Sequence, residues 1–331
     1  MSSAQLLGIL LVSFAGLLVG SGAWPMKLMR KYRFEHWWFI GMLTGLVIIP
    51  WGVTLLGCPG ALSAYAQVPA RTLITANLWA AGWGIANVLC GLCFVRIGVA
   101  LTGAILTGLG VSIGVTLPMI VKGSGLFSDA PDLNSTAGLA VLGGVAIMLV
   151  GVVIASLAGF GRDAALEKQQ KTSGSFAGGL IMTVIAGVLS CGMGLAFVYG
   201  QGPIVSAMKA RGAGEIPATF AVWAAGLLGG ALINLVYPLY LMAKGRSFGV
   251  LAQSGREFVL AAIIGVNMAL GIVLMGKGML MVGVLGASVG FGIQQASQML
   301  GGQALGFISG EWRGVVGKPR HQMYVAIAIL I

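Results

Sequence analysis

Long apolar runs alternate with short polar connections along nearly the whole chain. A helix that spans a bilayer needs about 20 mostly apolar residues. Runs of roughly that length cover residues 4–24, 37–57, 72–95, 97–121, 137–160, 175–199, 217–243, 258–276 and 278–300. A tenth run begins at His321, and we expect it to be cut short at Ile331. The pattern predicts an all-α polytopic membrane protein with ten transmembrane helices.

The connections between these runs are too short to hold a separate globular domain. The longest polar stretch covers residues 162–174, and the connections at Arg96 and Lys277 consist of little more than one cation. The predicted organisation is a first five-helix repeat, a cytoplasmic connection and a second five-helix repeat, at residues 1–160, 161–174 and 175–331.

The two halves carry an internal repeat. A shift of 180 residues lays Trp83–Thr116 over Ile263–Ala296 without a gap and matches Asn87 with Asn267. Five helices separate the two copies, and because five is odd, equivalent helices enter the membrane in opposite senses. Inverted repeats place a transport pathway at their interface, with the solute near the midplane. The repeat therefore favours a carrier that works by alternating access.

Glycines spaced four residues apart recur in the apolar runs, as in Gly16 with Gly20 and Gly41 with Gly45. In lipid, pairs of small residues let two helix backbones approach closely. We expect these glycines to lie at helix contacts.

The distribution of cations predicts the orientation. Fourteen of the nineteen Lys and Arg residues fall in every second connection, beginning with the cluster Lys27, Arg30, Lys31 and Arg33. Cations next to helix ends stay in the cytoplasm. We therefore expect both termini to face outward, which puts the N-terminus on the periplasmic or extracellular side.

Composition supports the membrane class. Charged residues make up 8% of the chain and hydrophobic residues 58%, whereas soluble domains are about 25% charged; the mean hydropathy is +0.98. The net charge of +11 would suit nucleic acid, but the cations lie between apolar runs, and Trp24, Trp37 and Trp38 flank the first cluster at headgroup level. The predicted partner is the lipid bilayer, and nucleic acid is excluded.

The residue types that enzymes need are missing from the apolar runs. All eight acids lie in connections or at helix ends, and His36 and His321 flank helices. Cys90 and Cys93 sit inside an apolar run, where thiols act as packing groups. We expect no catalytic residues, no metal site and no cofactor. Because an embedded carboxylate is the usual proton carrier, the coupling ion stays open at this point.

Uncharged hydrogen-bonding and aromatic side chains do occur within the runs. Amides beside flat aromatic faces suit a small neutral polyhydroxylated solute. The predicted solute contacts are Trp79, Trp83, Asn87, Tyr199, Asn267, Gln294 and Gln298. Lys27, beside the helix-breaking Pro25, and Gln295 are candidates for a gate or for coupling. The alternatives are hydrogen bonds between helices for the amides and snorkelling to headgroups for Lys27.

Several segments resemble a known family. They are GSGAWPMKLMRKYRFEHWW from Gly20, PWGVTLL from Pro50, WGIAN from Trp83 to Asn87, and the Glu311-Trp312 pair. In this order they are similar to the L-rhamnose/proton symporter family of the drug/metabolite transporter superfamily.

The resemblance implies ten helices in two inverted halves and a bacterial inner-membrane location. It also implies secondary active uptake of L-rhamnose or a related deoxyhexose coupled to protons, and a homodimer through helices 5 and 10. Two other functions stay open: export of amphipathic drugs or metabolites, and a membrane scaffold that transports nothing.

Overall fold

The structure is a computed structural model that describes residues 2–97, 99–166 and 176–331. Within these ranges every regular element is helical, which confirms the all-α prediction. Six helical segments there are long and apolar enough to cross a membrane, or seven if one bent pair is counted as a single span. The protein is therefore a multi-pass membrane protein.

The α-helices have the following bounds: α1 Ser3–Ser21, α2 Phe34–Met42, α3 Ile49–Gly57, α4 Ala61–Tyr65, α5 Ala70–Ile97, α6 Val99–Ile120, α7 Thr136–Ala165, α8 Phe176–Ser190, α9 Gly192–Lys209, α10 Glu215–Gly226, α11 Leu228–Gly245, α12 Gly255–Val282, α13 Phe291–Ile308 and α14 Lys318–Leu330. Three short 3₁₀ helices cover Trp24–Leu28, Gly125–Asp129 and Phe248–Ala252. Two π-helical turns cover Leu43–Ile48, which joins α2 to α3, and Gly286–Gly290, which leads into α13.

Serine side chains cap the start of three of the long helices. The hydroxyls of Ser2, Ser135 and Ser254 accept hydrogen bonds from backbone N–H groups in the first turns of α1, α7 and α12. These groups have no partner inside the helix, so a serine at the cap position stabilises the start of each helix.

The predicted connection at Lys277 is wrong. Lys277 lies inside α12, and its ammonium group contacts Glu215 Oε2 at 3.3 Å. The helix ends five residues later, at Val282, and is followed by Gly283, whose φ of +92° favours glycine strongly. Lysine is a good helix former and interrupts hydropathy without interrupting the backbone, which explains the error.

The first helix packs closely on α12 and α13. A methyl group added at Gly16 or Gly20 would overlap the backbone of α13 at Gln294 or Gln298, and one added at Gly8 would lie 2.9 Å from the carbonyl oxygen of Gly278 in α12. The expectation that Gly16 and Gly20 lie at a helix contact is confirmed.

The remaining long helices pack around this group. Helix α5 contacts α8, α9 and α11, helix α6 contacts α7 and α8, and α14 packs along α7. Residues 167–175, which belong to the predicted connection 161–174 and to the start of the second repeat, lie outside the described residues.

An aromatic layer, formed by Phe127, Phe197 and Trp223, fills one end of the bundle. The ring centroids of Phe197 and Trp223 are 4.7 Å apart, those of Phe127 and Phe197 are 6.3 Å apart, and all three side chains are buried. Phe127 belongs to the connection after α6, so the layer lies at the end of the bundle where that connection runs.

We predict that Gly20→Leu lowers the free energy of unfolding by about 2 kcal/mol or more, because the new side chain overlaps the α13 backbone. Gly143→Ala in α7 is the matched control. A methyl group there meets open space, and alanine is about 1 kcal/mol better than glycine within a helix.

Thermal unfolding of the purified protein in detergent checks this pair of variants. Equal melting temperatures for Gly20→Leu and the wild type would contradict the close contact between α1 and α13.

Candidate functional site

A cavity of about 350 Å³ lies among α1, α2, α5, α6, α8, α9, α12 and α13. We call it the central cavity. The side chains that matter most for its chemistry are Trp37, Trp83, Asn87, Phe291, Gln295 and Gln298. None of the described residues that line it is charged, and indole rings, a phenyl ring and amides make up much of its wall.

Helix α5 supplies Trp83 and Asn87, which lie one turn apart on the same face. The Asn87 amide donates to Asn234 Oδ1 at 3.2 Å, and Asn234 in turn donates to the carbonyl oxygen of Gly230 at 2.9 Å. This chain of hydrogen bonds holds the Asn87 amide in place. Asn87 Oδ1 has no hydrogen-bond partner among the described residues, so this oxygen can accept from a solute at the cavity wall.

Helix α13 supplies the glutamines. The amide of Gln294 donates to Gln298 Oε1 at 3.0 Å, one turn along the helix, while Gln294 Oε1 is buried with no hydrogen-bond partner in the part of the chain that the structure describes. Gln294 is thus a buried support for Gln298. Gln295 and Gln298 line the central cavity directly.

A second cavity of about 430 Å³ adjoins the first, and we call it the rim cavity. Val19, Thr107, Gln295 and Gln298 line both cavities. The rim cavity adds the polar side chains Ser156, Arg162, Gln303, Glu311 and Trp312. It therefore connects the uncharged central cavity with a charged group at one end of the bundle.

Lys27, the predicted gate residue, belongs to this charged group. Its ammonium group contacts the Glu311 carboxylate and donates to Ser309 Oγ. The second carboxylate oxygen of Glu311 lies 3.3 Å from the Arg162 guanidinium, which also contacts Asp163 Oδ1 at 2.9 Å. We call Lys27, Arg162, Asp163 and Glu311 the charge cluster.

Like Gln294, three further predicted contacts, Trp79, Tyr199 and Asn267, do not line either cavity. Trp79 and Tyr199 stack on each other with an interplanar angle of 7° and centroids 6.4 Å apart, and the Tyr199 hydroxyl donates to the carbonyl oxygen of Val121. Asn267 donates to the carbonyl oxygen of Gly22 at 3.3 Å. These side chains hold helices together next to the cavity.

Sequence reasoning missed Phe291, Thr107 and Glu311. Phe291 looks like any other core residue in an apolar run, and Thr107 is a lone hydroxyl. The polar character of Glu311 was visible, but its position between Lys27 and Arg162 depends on contacts between residues far apart in the chain.

Asn77 has a structural role at a break between helices. Helices α10 and α11 meet at an angle of 57° at Leu227. The Asn77 side chain donates to the carbonyl oxygen of Ala225 at 2.8 Å and accepts from the backbone N–H of Gly229 at 2.7 Å. These two bonds satisfy backbone groups that the break leaves without helical partners.

Glu257 holds the basic segment that follows α1. Its carboxylate is buried in the first turn of α12 and accepts hydrogen bonds from the backbone N–H groups of Arg30, Lys31 and Tyr32 at 2.7 to 3.1 Å. Tyr32 lies beside it, and burial together with the Glu257 charge raises the pKa of the Tyr32 phenol. The segment from Arg30 to Tyr32 is therefore fixed to α12.

The residues described by the structure contain no group of three or more His, Cys, Asp or Glu side chains that could hold a metal ion. Cys58, Cys90, Cys93 and Cys191 are free thiols. Cys93 is buried, and its Sγ lies 3.7 Å from the carbonyl oxygen of Gly179.

Apolar helices packed around a chamber of amide and aromatic groups define a multi-pass membrane protein with an internal polar cavity. Residues 1–274 match the family model of the L-rhamnose-proton symport protein, and the chain belongs to this family.

Curated relatives carry the same description. They include the L-rhamnose-proton symporters of Yersinia pestis bv. Antiqua (strain Antiqua) and Yersinia pseudotuberculosis serotype O:1b (strain IP 31758). Each is 29% identical to this chain over 255 residues, which cover 76% of this chain and 72% of the relative. The family match ends before α13, so the glutamines of both cavities come from the part of the chain beyond it.

We predict that Glu257→Gln lowers the free energy of unfolding by about 2 kcal/mol, because an amide has one acceptor oxygen in place of two and leaves buried N–H groups without a partner. Glu215→Gln is the control, since Glu215 makes one exposed ion pair that is worth at most about 1 kcal/mol. Thermal unfolding in detergent compares them, and an equal effect of the two substitutions would contradict the role of Glu257.

Proposed function

We propose that the protein is a secondary active transporter that imports L-rhamnose or a related deoxyhexose together with protons. The observation that carries this proposal is the lining of the central cavity, read together with membership of the L-rhamnose-proton symport protein family. Asn87, Gln295 and Gln298 offer both donors and acceptors to sugar hydroxyls, and Trp83 offers a flat apolar face. Trp79, Tyr199, Asn267 and Gln294 complete the proposed site by supporting this wall from outside it.

The size and charge of the cavity support a small neutral solute. Its volume of about 350 Å³ falls within the range of small-molecule sites, about 300 to 1,000 Å³. The described residues of its wall carry no charged side chain, so they offer no counter-ion for a charged solute. An exporter of amphipathic drugs would need a more apolar cavity than this one, whose wall contains several amide groups.

Ten transmembrane helices in two inverted repeats, residues 1–160 and 175–331, form part of the proposal. In this arrangement α6, α13 and α14 also cross the membrane. The packing pairs support it: α1 contacts α12 and α13, while α8 and α9, the equivalent elements of the second half, contact α5 and α6. The contact between α7 and α14, the last helix of each half, fits the same two-fold relation.

Alternating access is the proposed mechanism. The central cavity extends to Trp37 and to Ala23, near the basic connection after α1. The opposite end of the bundle is filled by the aromatic layer, where Phe197 and Trp223 stack at 4.7 Å. This asymmetry is expected of a carrier open toward one side.

We place the protein in the bacterial inner membrane with the basic connections in the cytoplasm and the N-terminus in the periplasm. A homodimer through α7 and α14, the fifth and tenth predicted helices, completes the assembly. The outer face of α7 supports it, because Ile147, Val150, Val153 and Leu157 are about half exposed and form an apolar strip that lipid or a second copy would cover.

Two single cysteines test the proposed orientation. In a background that lacks the four native cysteines, Lys209→Cys at the end of α9 should react with a membrane-impermeant thiol reagent in intact spheroplasts. Lys244→Cys at the end of α11 should react only after permeabilisation. Both positions are exposed, and labelling of both from the same side would contradict the inverted arrangement.

Uptake of radiolabelled L-rhamnose into proteoliposomes tests the function itself. We expect accumulation when the proton concentration is higher outside, and we expect a protonophore to abolish it. Gln298→Ala and Asn87→Ala should each weaken rhamnose binding about tenfold, which corresponds to the loss of about 1.4 kcal/mol of hydrogen bonding.

Asn134→Ala is the matched control, because Asn134 is an exposed amide in the connection before α7 and should bind rhamnose as the wild type does. If rhamnose uptake does not change with the proton gradient, the protein is a facilitator of rhamnose diffusion and not a symporter. The absence of any rhamnose uptake, with uptake of amphipathic amines in its place, would favour the exporter.

A further inference from the structure

Glu311 has a position that none of the other acids in the described residues shares. It is the one carboxylate that lines either the central or the rim cavity. Its side chain is 42% exposed, so water reaches it. It is also separated from the amides Gln295 and Gln298 only by the rim cavity that all three line.

The charge cluster joins three separate parts of the chain. Lys27 comes from the 3₁₀ helix after α1, Arg162 and Asp163 come from the end of α7, and Glu311 comes from the turn between α13 and α14. Glu311 contacts both cations of the cluster. A change in the charge of this one side chain therefore acts on all three segments.

Two of the cations that follow Glu311 in the chain have environments of their own. Arg313 packs on Gly310 within the same turn as Glu311. Arg320 of α14 donates to the Tyr324 hydroxyl at 2.8 Å and lies over its ring at 5.8 Å. Arg162 also lies over the Trp312 ring, at 5.5 Å from the centroid, which keeps its guanidinium at the rim.

We infer that Glu311 takes up and releases the coupled proton, and that its contact with Lys27 ties this transfer to a movement of the segment after α1. The inference rests on the proposed function and names the proton site of that symport. A proton from water adds to a carboxylate oxygen of Glu311, an O–H bond forms, and no electrons change hands. The proton returns to water when the carboxylate is restored.

The consequence follows from charge balance. With Glu311 ionised, two cations and two carboxylates balance within the cluster. With Glu311 protonated, Lys27 and Arg162 face each other with Asp163 as the single remaining acid, and the net charge becomes positive. Like charges at close range repel, so protonation releases Lys27 and loosens the contact between the segment after α1 and the turn after α13.

Glu311→Gln tests the inference, with Glu215→Gln as the matched control for loss of an exposed ion pair elsewhere. In proteoliposomes, we expect Glu311→Gln to retain rhamnose counterflow within about twofold of the wild type, because exchange needs no net proton movement. We expect its accumulation of rhamnose under a proton gradient to fall at least tenfold, which corresponds to about 1.4 kcal/mol of driving force. Glu215→Gln should keep both activities, and Glu311→Asp should recover part of the accumulation.

Two results would overturn the inference. One is gradient-driven accumulation by Glu311→Gln equal to that of the wild type. The other is equal loss of counterflow and accumulation in a variant that still melts as the wild type does, which would give Glu311 a structural role. Absence of rhamnose counterflow in the wild type would instead count against the proposed function.

A spectroscopic readout keeps the proton site testable without any solute. Infrared difference spectra between acidic and neutral pH contain a protonated-carboxyl signal from every acid that titrates. The wild-type spectrum minus that of Glu311→Gln should contain a protonated-carboxyl band, and the same band should appear when both spectra are recorded in a Glu215→Gln background. Identical spectra for the wild type and Glu311→Gln would contradict the assignment.

Discussion

The structure depends on one constraint: polar groups that lie within a bilayer must find their partners inside the protein. Asn77 meets this requirement for the break between α10 and α11 by bonding to Ala225 and Gly229. Asn87 meets it through Asn234. Gln295 and Gln298, like Asn87, line the central cavity. A polar solute in that cavity would meet hydrogen-bonding groups of the kind that elsewhere hold the bundle together.

Hydropathy predicted the helical class because each long apolar run has one low-energy backbone conformation in lipid. It failed at Lys277, since a single lysine changes hydropathy but leaves the helix of α12 intact until Gly283. The number of ten spans stays a prediction, since six or seven helical segments of the described residues are long and apolar enough to cross a membrane, and glutamines and glycines lower the hydropathy of α13.

The candidate site was predictable only as far as helical periodicity reaches. Trp83 and Asn87, four residues apart on α5, were expected on one face, and both line the central cavity. Trp79 is on the same face one turn earlier, yet it stacks on Tyr199 away from the cavity. Whether a residue on this face lines the cavity depends on its position along the helix and on the positions of the neighbouring helices. The contact between Lys27 and Glu311 spans most of the chain and left no local signal.

The carboxylate of Glu257 has a mechanical consequence. It binds three successive backbone amides of the basic segment, so Arg30 and Lys31 are coupled to α12 more firmly than to α1. Charges near a bilayer surface feel the potential of anionic lipids, which is worth about 1 kcal/mol per cation. A displacement of α12 would move these cations relative to the headgroups. The difference in free energy between two positions of α12 therefore depends on the anionic lipid content of that leaflet.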